Sequence, residues 1–336
     1  MITYIIRRLL LMIPTLAGVS VIVFALTQAV PGGPVETIIR QMRQSQSETG
    51  GRASTVDENL RAALNRQFGY DKPPVTRYLH WAKDIIRLDF GTSHYYNEPV
   101  IDLIIRRFPV SLTFGIWSFI VIYAVSIPLG IFKAVHDGSR FDTISSIIIF
   151  TGYSIPSFGL AILLIVFLGG GNFLNLFPIM GLLSEYAHEL NWFERVIDYL
   201  HHIILPIICY TVGSFASLTM LMKNSFIEQI HQDYVRTARA KGLTSRTVYF
   251  KHVLRNALIP IATGLGGFLG IFLTGSILLE SIFGLEGIAL LSYESLLSRD
   301  YPVVLAIIMI AAFAGVIGNL FSDILYVLIN PRINFD

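Results

Sequence analysis

Cysteine is all but missing: the 336 residues hold one, Cys209. A single cysteine inside an apolar block excludes a disulfide framework and a thiolate metal site within one chain, and suits a small buried hydrophobe. Charge is scarce as well, at 14% of residues against about 25% in an ordinary soluble domain. The net charge of +2 offers no argument for a nucleic-acid partner, and none is expected.

Catalytic and nucleotide-binding signatures are missing too. There is no Gly-x-Ser-x-Gly elbow and no Gly-x4-Gly-Lys-Ser/Thr loop, so the chain does not cradle ATP by that device. His188-Glu189 continues as Leu190-Asn191-Trp192 and lacks the second histidine of a zinc helix. The run Gly264-Leu265-Gly266-Gly267-Phe268-Leu269-Gly270 misplaces the third glycine of a dinucleotide loop and follows no strand. Small residues that let helices approach, with Gly266 and Gly270 four apart, account for it better. His201-His202 has no further ligands placed near it, and is read as a polar interfacial pair. The chain is therefore expected to catalyse nothing by itself and to bind neither cofactor nor metal.

What the chain has in excess is apolar sequence. Hydrophobic residues make up 53%, the mean hydropathy is +0.62, and they fall in long blocks. A bilayer core of about 30 Å needs roughly 20 apolar residues in a helix. Six blocks meet that length: 9–30, 109–131, 143–168, 203–222, 257–280 and 302–328. Pro14, Pro128, Pro156, Pro206 and Pro260 lie in or beside them, tolerable where neighbouring helices satisfy the freed backbone groups. Arg7 and Arg8 before the first block imitate a secretory signal. The apolar run is longer than the roughly 7–15 residues of a signal core, and no small-x-small site follows it, so a retained anchor is expected.

Lys and Arg set the orientation. With the N-terminus inside, the inner pieces carry Arg7, Arg8, Lys133, Arg140, Lys223, Arg236, Arg239, Lys241, Arg246, Lys251, Arg255 and Arg332. The two short outer loops carry only Arg195 and Arg299, against seven acids. The basic residues of 31–108 count for little, because long loops cross regardless of charge. The expected layout is an all-α integral membrane protein, N-in and C-in. It has 1–30 as the N-terminal segment and first span, 31–108 as a periplasmic domain, and 109–168 as spans two and three. A periplasmic loop 169–202, span four at 203–222, a cytoplasmic loop 223–256, spans five and six in 257–328, and a cytoplasmic tail 329–336 follow. Within the outer domain Gln41–Asp57 is polar and expected to be mobile. Neither an internal repeat nor an inverted pair of broken helices is visible, which weakens a secondary-transporter reading.

Asp323 is the one acid well inside a span, and an ionisable group there is a functional candidate by default. Lining a polar path, pairing with Arg332 and pairing with a partner chain all stand as readings. The loop 223–256 carries Ile227, Ile230, Tyr234, Ala238 and Lys241 at helical spacing. Gly242 supplies a residue that takes the left-handed conformation at a helix end, and Ser245 is placed to cap a second helix with Val248, Tyr249, His252 and Val253. Helix, glycine, helix predicts a short rigid knob beneath the bilayer. A plain basic loop touching anionic lipid headgroups has the same composition.

The string Asp233-Tyr234-Val235-Arg236-Thr237-Ala238-Arg239-Ala240-Lys241-Gly242 closely resembles the EAA-type loop of ABC importer permeases, in the form of the peptide/nickel branch. The resemblance extends along the chain. Arg7-Arg8 and Pro31-Gly32-Gly33-Pro34 match the family's start. Phe68-Gly69-Tyr70-Asp71-Lys72-Pro73, Arg77-Tyr78, Trp81 and Asp89-Phe90-Gly91-Thr92-Ser93 match its outer-domain signature. Pro109-Val110-Ser111-Leu112-Thr113, Gly152-Tyr153-Ser154-Ile155-Pro156-Ser157-Phe158, Ser298-Arg299-Asp300-Tyr301-Pro302 and Asn330-Pro331-Arg332-Ile333 follow in order. Gly115-Ile116-Trp117-Ser118 and Ala134-Val135-His136-Asp137-Gly138-Ser139-Arg140-Phe141-Asp142 are most similar to the Yej-type permeases of oligopeptide and microcin C importers.

The resemblance implies six transmembrane helices of the type I importer kind. It also implies half of a translocation path for peptides, with dipeptide or nickel transport, or an ATP-independent channel or secondary transporter, as alternatives. The implied partners are a second permease subunit, ABC ATPase subunits that bind ATP and Mg, a periplasmic peptide-binding protein and membrane lipid. Tyr234, Arg236, Thr237, Ala238, Arg239, Ala240, Lys241 and Gly242 become the ATPase-coupling residues. The family's loop places Glu where this chain has Arg236 and ends in Leu-Pro where it has Arg255-Asn256, and its last motif begins with Asp where Asn330 stands. Roles of those acids do not carry over.

Overall fold

The computed structural model describes residues 2–29, 35–36, 39, 58–67, 71–170, 173–262, 264–265 and 275–329. The stretches holding Pro31–Pro34, Phe68–Tyr70, Gly266 with Gly270, Arg332 and the whole of 41–57 lie outside these residues, and so do the readings attached to them. Among the described residues the chain is helical, with isolated bridges in place of strands. Four helices are long and apolar enough to cross a membrane. They are α1 (Ile2–Ala29), α4 (Val100–Val135), α7 (Trp192–Ile230) and α13 (Tyr301–Ile329). Shorter helices are α2 (Glu58–Gln67) and α3 (Pro74–Ile86).

The expected third span is not one helix. It divides into α5 (Arg140–Ser154) and α6 (Ser157–Leu168), which meet at 97°. Pro156 supplies no N–H and pushes the residue before it out of the helical region; Ile155 sits at φ −86°, ψ 122°. The bent pair counts as a fifth candidate crossing. Residues 263 and 266–274 of the expected fifth span fall outside the described residues. Helices α4 and α7, at 36 and 39 residues, run well beyond the spans read from hydropathy. Each carries a polar end that a hydropathy window does not see: α7 starts at a capping box in which Asn191 and Glu194 satisfy each other's backbone N–H.

Two compact units emerge. One comprises residues 1–8, 107–290 and 314–336; the other comprises 9–106 and 291–313. In the first, Phe114, Ala161, Ile203, Leu205, Cys209, Leu279 and Phe283 form a buried core, with Phe114 stacked on Tyr210 at 5.3 Å. Cys209 is buried there as a hydrophobe. Helix α4 approaches α7 through Gly130, where a Cβ would stand 2.8 Å from the Thr219 carbonyl oxygen, so only glycine permits the contact.

In the second unit, Phe24 of α1 lies 5.5 Å from the rings of both Tyr78 and Trp81 on α3, while the Ser20 hydroxyl bonds Tyr78 at 2.9 Å. Motif residues 207 positions apart close a clasp: Ser93 Oγ donates to Asp300 Oδ2 at 2.5 Å. The N–H groups of His94 and Tyr95 donate to the same carboxylate at 3.1 and 3.3 Å. Asp300 is 1% exposed, so nothing from solvent substitutes for these donors. Asp300→Ala is expected to remove about 2–3 kcal/mol, since the buried Ser93 hydroxyl and two backbone N–H groups lose a charged acceptor. Thermal unfolding of the purified protein reads this, and an unchanged melting temperature would show the clasp to be idle.

Candidate functional site

Helix α7 stops at Ile230, two residues turn the chain, and α8 (Asp233–Ala240) begins. Ile227 and Ile230 thus belong to the end of α7, and the amphipathic helix expected across 227–241 is shorter than its spacing suggested. In α8, Val235 and Ala238 are buried at 1% and 7% exposure, whereas Arg236, Thr237, Arg239 and Ala240 are exposed, as are Lys241 and Gly242 beyond it. The helix ends in a Schellman turn. Gly242 N–H donates to Arg239 O at 2.9 Å and Leu243 N–H to Ala238 O at 3.3 Å, with Gly242 at φ +78°.

The next helical stretch is built of α9 (Ser245–Thr247), a π turn (Val248–Val253) and α10 (Leu254–Ala257). Its cap is Thr244, whose hydroxyl accepts from Thr247 N–H at 3.4 Å; Ser245, expected to cap, is already the first helical residue. A β-conformation is needed at the cap, and Thr244 takes it with ψ 147°.

The two pieces close on an apolar underside. Val235, Ala238, Val248, Val253 and Ala257 join Met222 and Phe226 of α7 and Ala134 of α4 in one buried cluster. Arg239 spans the knob, donating to the Tyr249 hydroxyl at 3.3 Å and lying 5.9 Å over its ring. Tyr234 donates to Gln229 at 3.0 Å. Among the described residues Arg236 meets Asp233 alone, at 3.5 Å between side chains 78% and 94% exposed. Such a pair is worth a few tenths of a kcal/mol at most, which leaves the guanidinium available to a partner. The knob therefore offers a compact shape with a cationic outer face.

A buried charge cluster lies at the root of this knob, and the sequence reading missed it. Lys133, the end of α4, is 0% exposed. Its ammonium directs three N–H groups to Asp142 O, Ser145 Oγ and Ser146 Oγ, at 2.9, 2.7 and 2.8 Å, and stands 3.1 Å from Asp142 Oδ1. Lys223 of α7 reaches Asp142 Oδ2 at 2.7 Å and Asp137 at 2.8 Å. One carboxylate thus joins α4, the start of α5 and the helix that leads into the knob. Lys133 and Lys223 entered the sequence reading only as positive charges in a topology count. The available signal was a lysine just past each of two apolar blocks, with Asp137 and Asp142 just before the next.

Asp323 faces a different partner from those the sequence suggested. It lies 3.0 Å from the Arg8 guanidinium, with side-chain exposures of 13% and 44%. Replacing it by asparagine is expected to change transport less than about twofold at any pH, since a half-exposed pair contributes about 1 kcal/mol or less. A pH-dependent loss in a transport assay would restore the pathway reading. His201 Nε2 sits 2.6 Å from Leu176 O and His202 Nδ1 2.8 Å from Asp198 O. No group of three metal-ligating side chains occurs among the described residues. Glu280 of α11 (Ile277–Ile282), 1% exposed, accepts from Leu290 N–H at 2.7 Å at the start of α12 (Ile288–Leu297), a helix-capping role.

Comparison with known proteins places the knob and its charge cluster in a shared region. Residues 126–335 match the family described as binding-protein-dependent transport system inner membrane component. The chain is 46% identical over 357 residues to the peptidoglycan transport system permease protein YejB of Agrobacterium fabrum, covering 99% of this chain and 98% of that protein. It is 44% identical over 359 residues to the inner membrane ABC transporter permease protein YejB of Escherichia coli O157:H7, covering 99% of both. It is 36% identical over 336 residues to the oligopeptide transport system permease protein AppB of Bacillus subtilis, each covered in full.

Proposed function

Since this chain belongs to the family of binding-protein-dependent transport system inner membrane components, we propose that it forms one half of the translocation path of a peptide importer driven by an ABC ATPase. The observation that carries the reading is the knob. A helix, a left-handed Gly242 and a second helical stretch close on a buried core and present Arg236, Arg239 and Lys241 outward. That is the surface on which a cytoplasmic ATPase docks. The names of the relatives, which include oligopeptide and peptidoglycan transport, support cargo with a peptide backbone, microcin C-like peptides among them.

In this reading the chain crosses the bacterial inner membrane six times with both ends inside. Residues 31–108 and 169–202 are periplasmic, and 223–256 is cytoplasmic. A second permease completes the path, a periplasmic peptide-binding protein delivers cargo, and ATP with Mg binds to the ATPase subunits alone. Closure of the ATPases on ATP moves the docked knob. Lys223 passes that displacement to Asp142 and Lys133, so α7, α5 and α4 reorient as a group. By linkage, delivery of cargo outside then biases the ATPase inside by the same coupling free energy.

Affinity purification of the tagged chain from its membranes tests this. The expected result is co-purification of an ATPase subunit and a second permease, with peptide uptake into proteoliposomes that requires ATP. Peptide uptake by the chain alone, without ATP, would overturn the reading in favour of a channel or secondary transporter.

A further inference from the structure

A groove of about 600 Å³ runs between the end of α4 and the second helical stretch. Ile127, Ile131, Phe132, Phe250 and Leu254 line it, with Arg246 as its charged residue. Phe250 and Phe132 are 59% and 49% exposed, so the apolar surface is open. Arg246 is exposed and makes no hydrogen bond or ion pair among the described residues.

We propose that this groove binds an anionic phospholipid of the inner leaflet, its phosphate on Arg246 and an acyl chain along Ile127 and Ile131. The inference rests on the orientation proposed above. Ile127 and Ile131 lie inside the apolar block 109–131, at a depth that hydrocarbon reaches and a soluble ATPase does not. A transmembrane helix of a second permease would fill the groove but leave the guanidinium without an anion, unless it carried an acid at that level. A phospholipid brings both parts, and basic pockets between helices on the cytoplasmic side are suited to anionic headgroups. The occupant would wedge α4 against the piece of the knob that Arg239 ties to Tyr249, so lipid composition would tune coupling.

The test uses the whole importer in nanodiscs made of phosphatidylethanolamine with or without phosphatidylglycerol. Native mass spectrometry reads the lipid each complex retains. The wild-type complex should keep phosphatidylglycerol selectively. Arg246→Gln and Phe250→Gln, both at exposed positions, should each lower its retention about fivefold with phosphatidylethanolamine retention unchanged. Equal phosphatidylglycerol retention in all three complexes would overturn the site. So would a photo-crosslinker at Phe250 that captures the second permease or the ATPase instead of lipid. Either failure in a complex that still co-purifies and imports peptide leaves the permease function standing.

Discussion

Asp142→Asn is expected to give a complex that assembles poorly, melts many degrees lower, and has lost ATP-driven uptake. The substitution keeps shape and removes the single charge that two ammonium groups share. Lys133 is fully buried and Lys223 nearly so. Breaking a buried ion pair by removing one partner costs about 3–5 kcal/mol, because an uncompensated charge stays behind. Against a total stability of about 5–15 kcal/mol for a domain, that is a large share. Asp137 does not compensate, since it reaches only Lys223 and its side chain is 56% exposed.

A second variant separates folding from coupling. Changing Lys133→Met, Asp142→Leu and Lys223→Met together replaces the cluster by apolar groups of similar volume, a change that is neutral or stabilising in other buried ion clusters. Its melting temperature is expected to recover. If uptake recovers as well, the cluster serves folding only and transmits nothing. If Asp142→Asn itself melts and transports like the parent, the cluster is idle.

The knob was legible in one sequence because it is local. Helical spacing, a glycine at the helix end and a hydroxyl cap fall within 19 residues; the reading erred by one position at the cap and by six residues at the start of α8, and did not foresee the π turn. The long spans were legible because hydrocarbon length imposes a count on apolar residues. The rest depended on pairings between distant positions. Asp142 with Lys133 and Lys223, Asp300 with Ser93, and Asp323 with Arg8 carry no periodicity, so a charge near a span end reads as topology until the fold brings its partner to it. The 97° bend had a visible cause in Pro156. Yet a proline inside an apolar block more often kinks a span than turns it aside, and hydropathy does not tell the two apart.

Gly242 offers the sharpest separation of docking lever from lipid-touching loop. Its φ of +78° disfavours any residue with a Cβ, by about 1–2 kcal/mol for ordinary side chains and most severely for β-branched ones. No atom lies within 4 Å of where a Cβ would stand, so the penalty is purely conformational, without a steric clash to confuse it. A graded series follows. Gly242→Asn should be nearly silent, because asparagine tolerates the left-handed region; Gly242→Ala should be intermediate and Gly242→Val worst. About 1.4 kcal/mol is a tenfold shift in an equilibrium, so Gly242→Val should populate the intact Schellman turn roughly tenfold less. The expected readout is peptide imported per ATP hydrolysed, falling about tenfold for valine while the ATPase still turns over. Ala238→Asp, which places a charge in the knob's core, should fall further still and lose ATPase co-purification. A loop that only meets lipid headgroups predicts neither the ranking nor the split between hydrolysis and uptake. Equal coupling ratios across the three Gly242 variants would remove the lever from the mechanism.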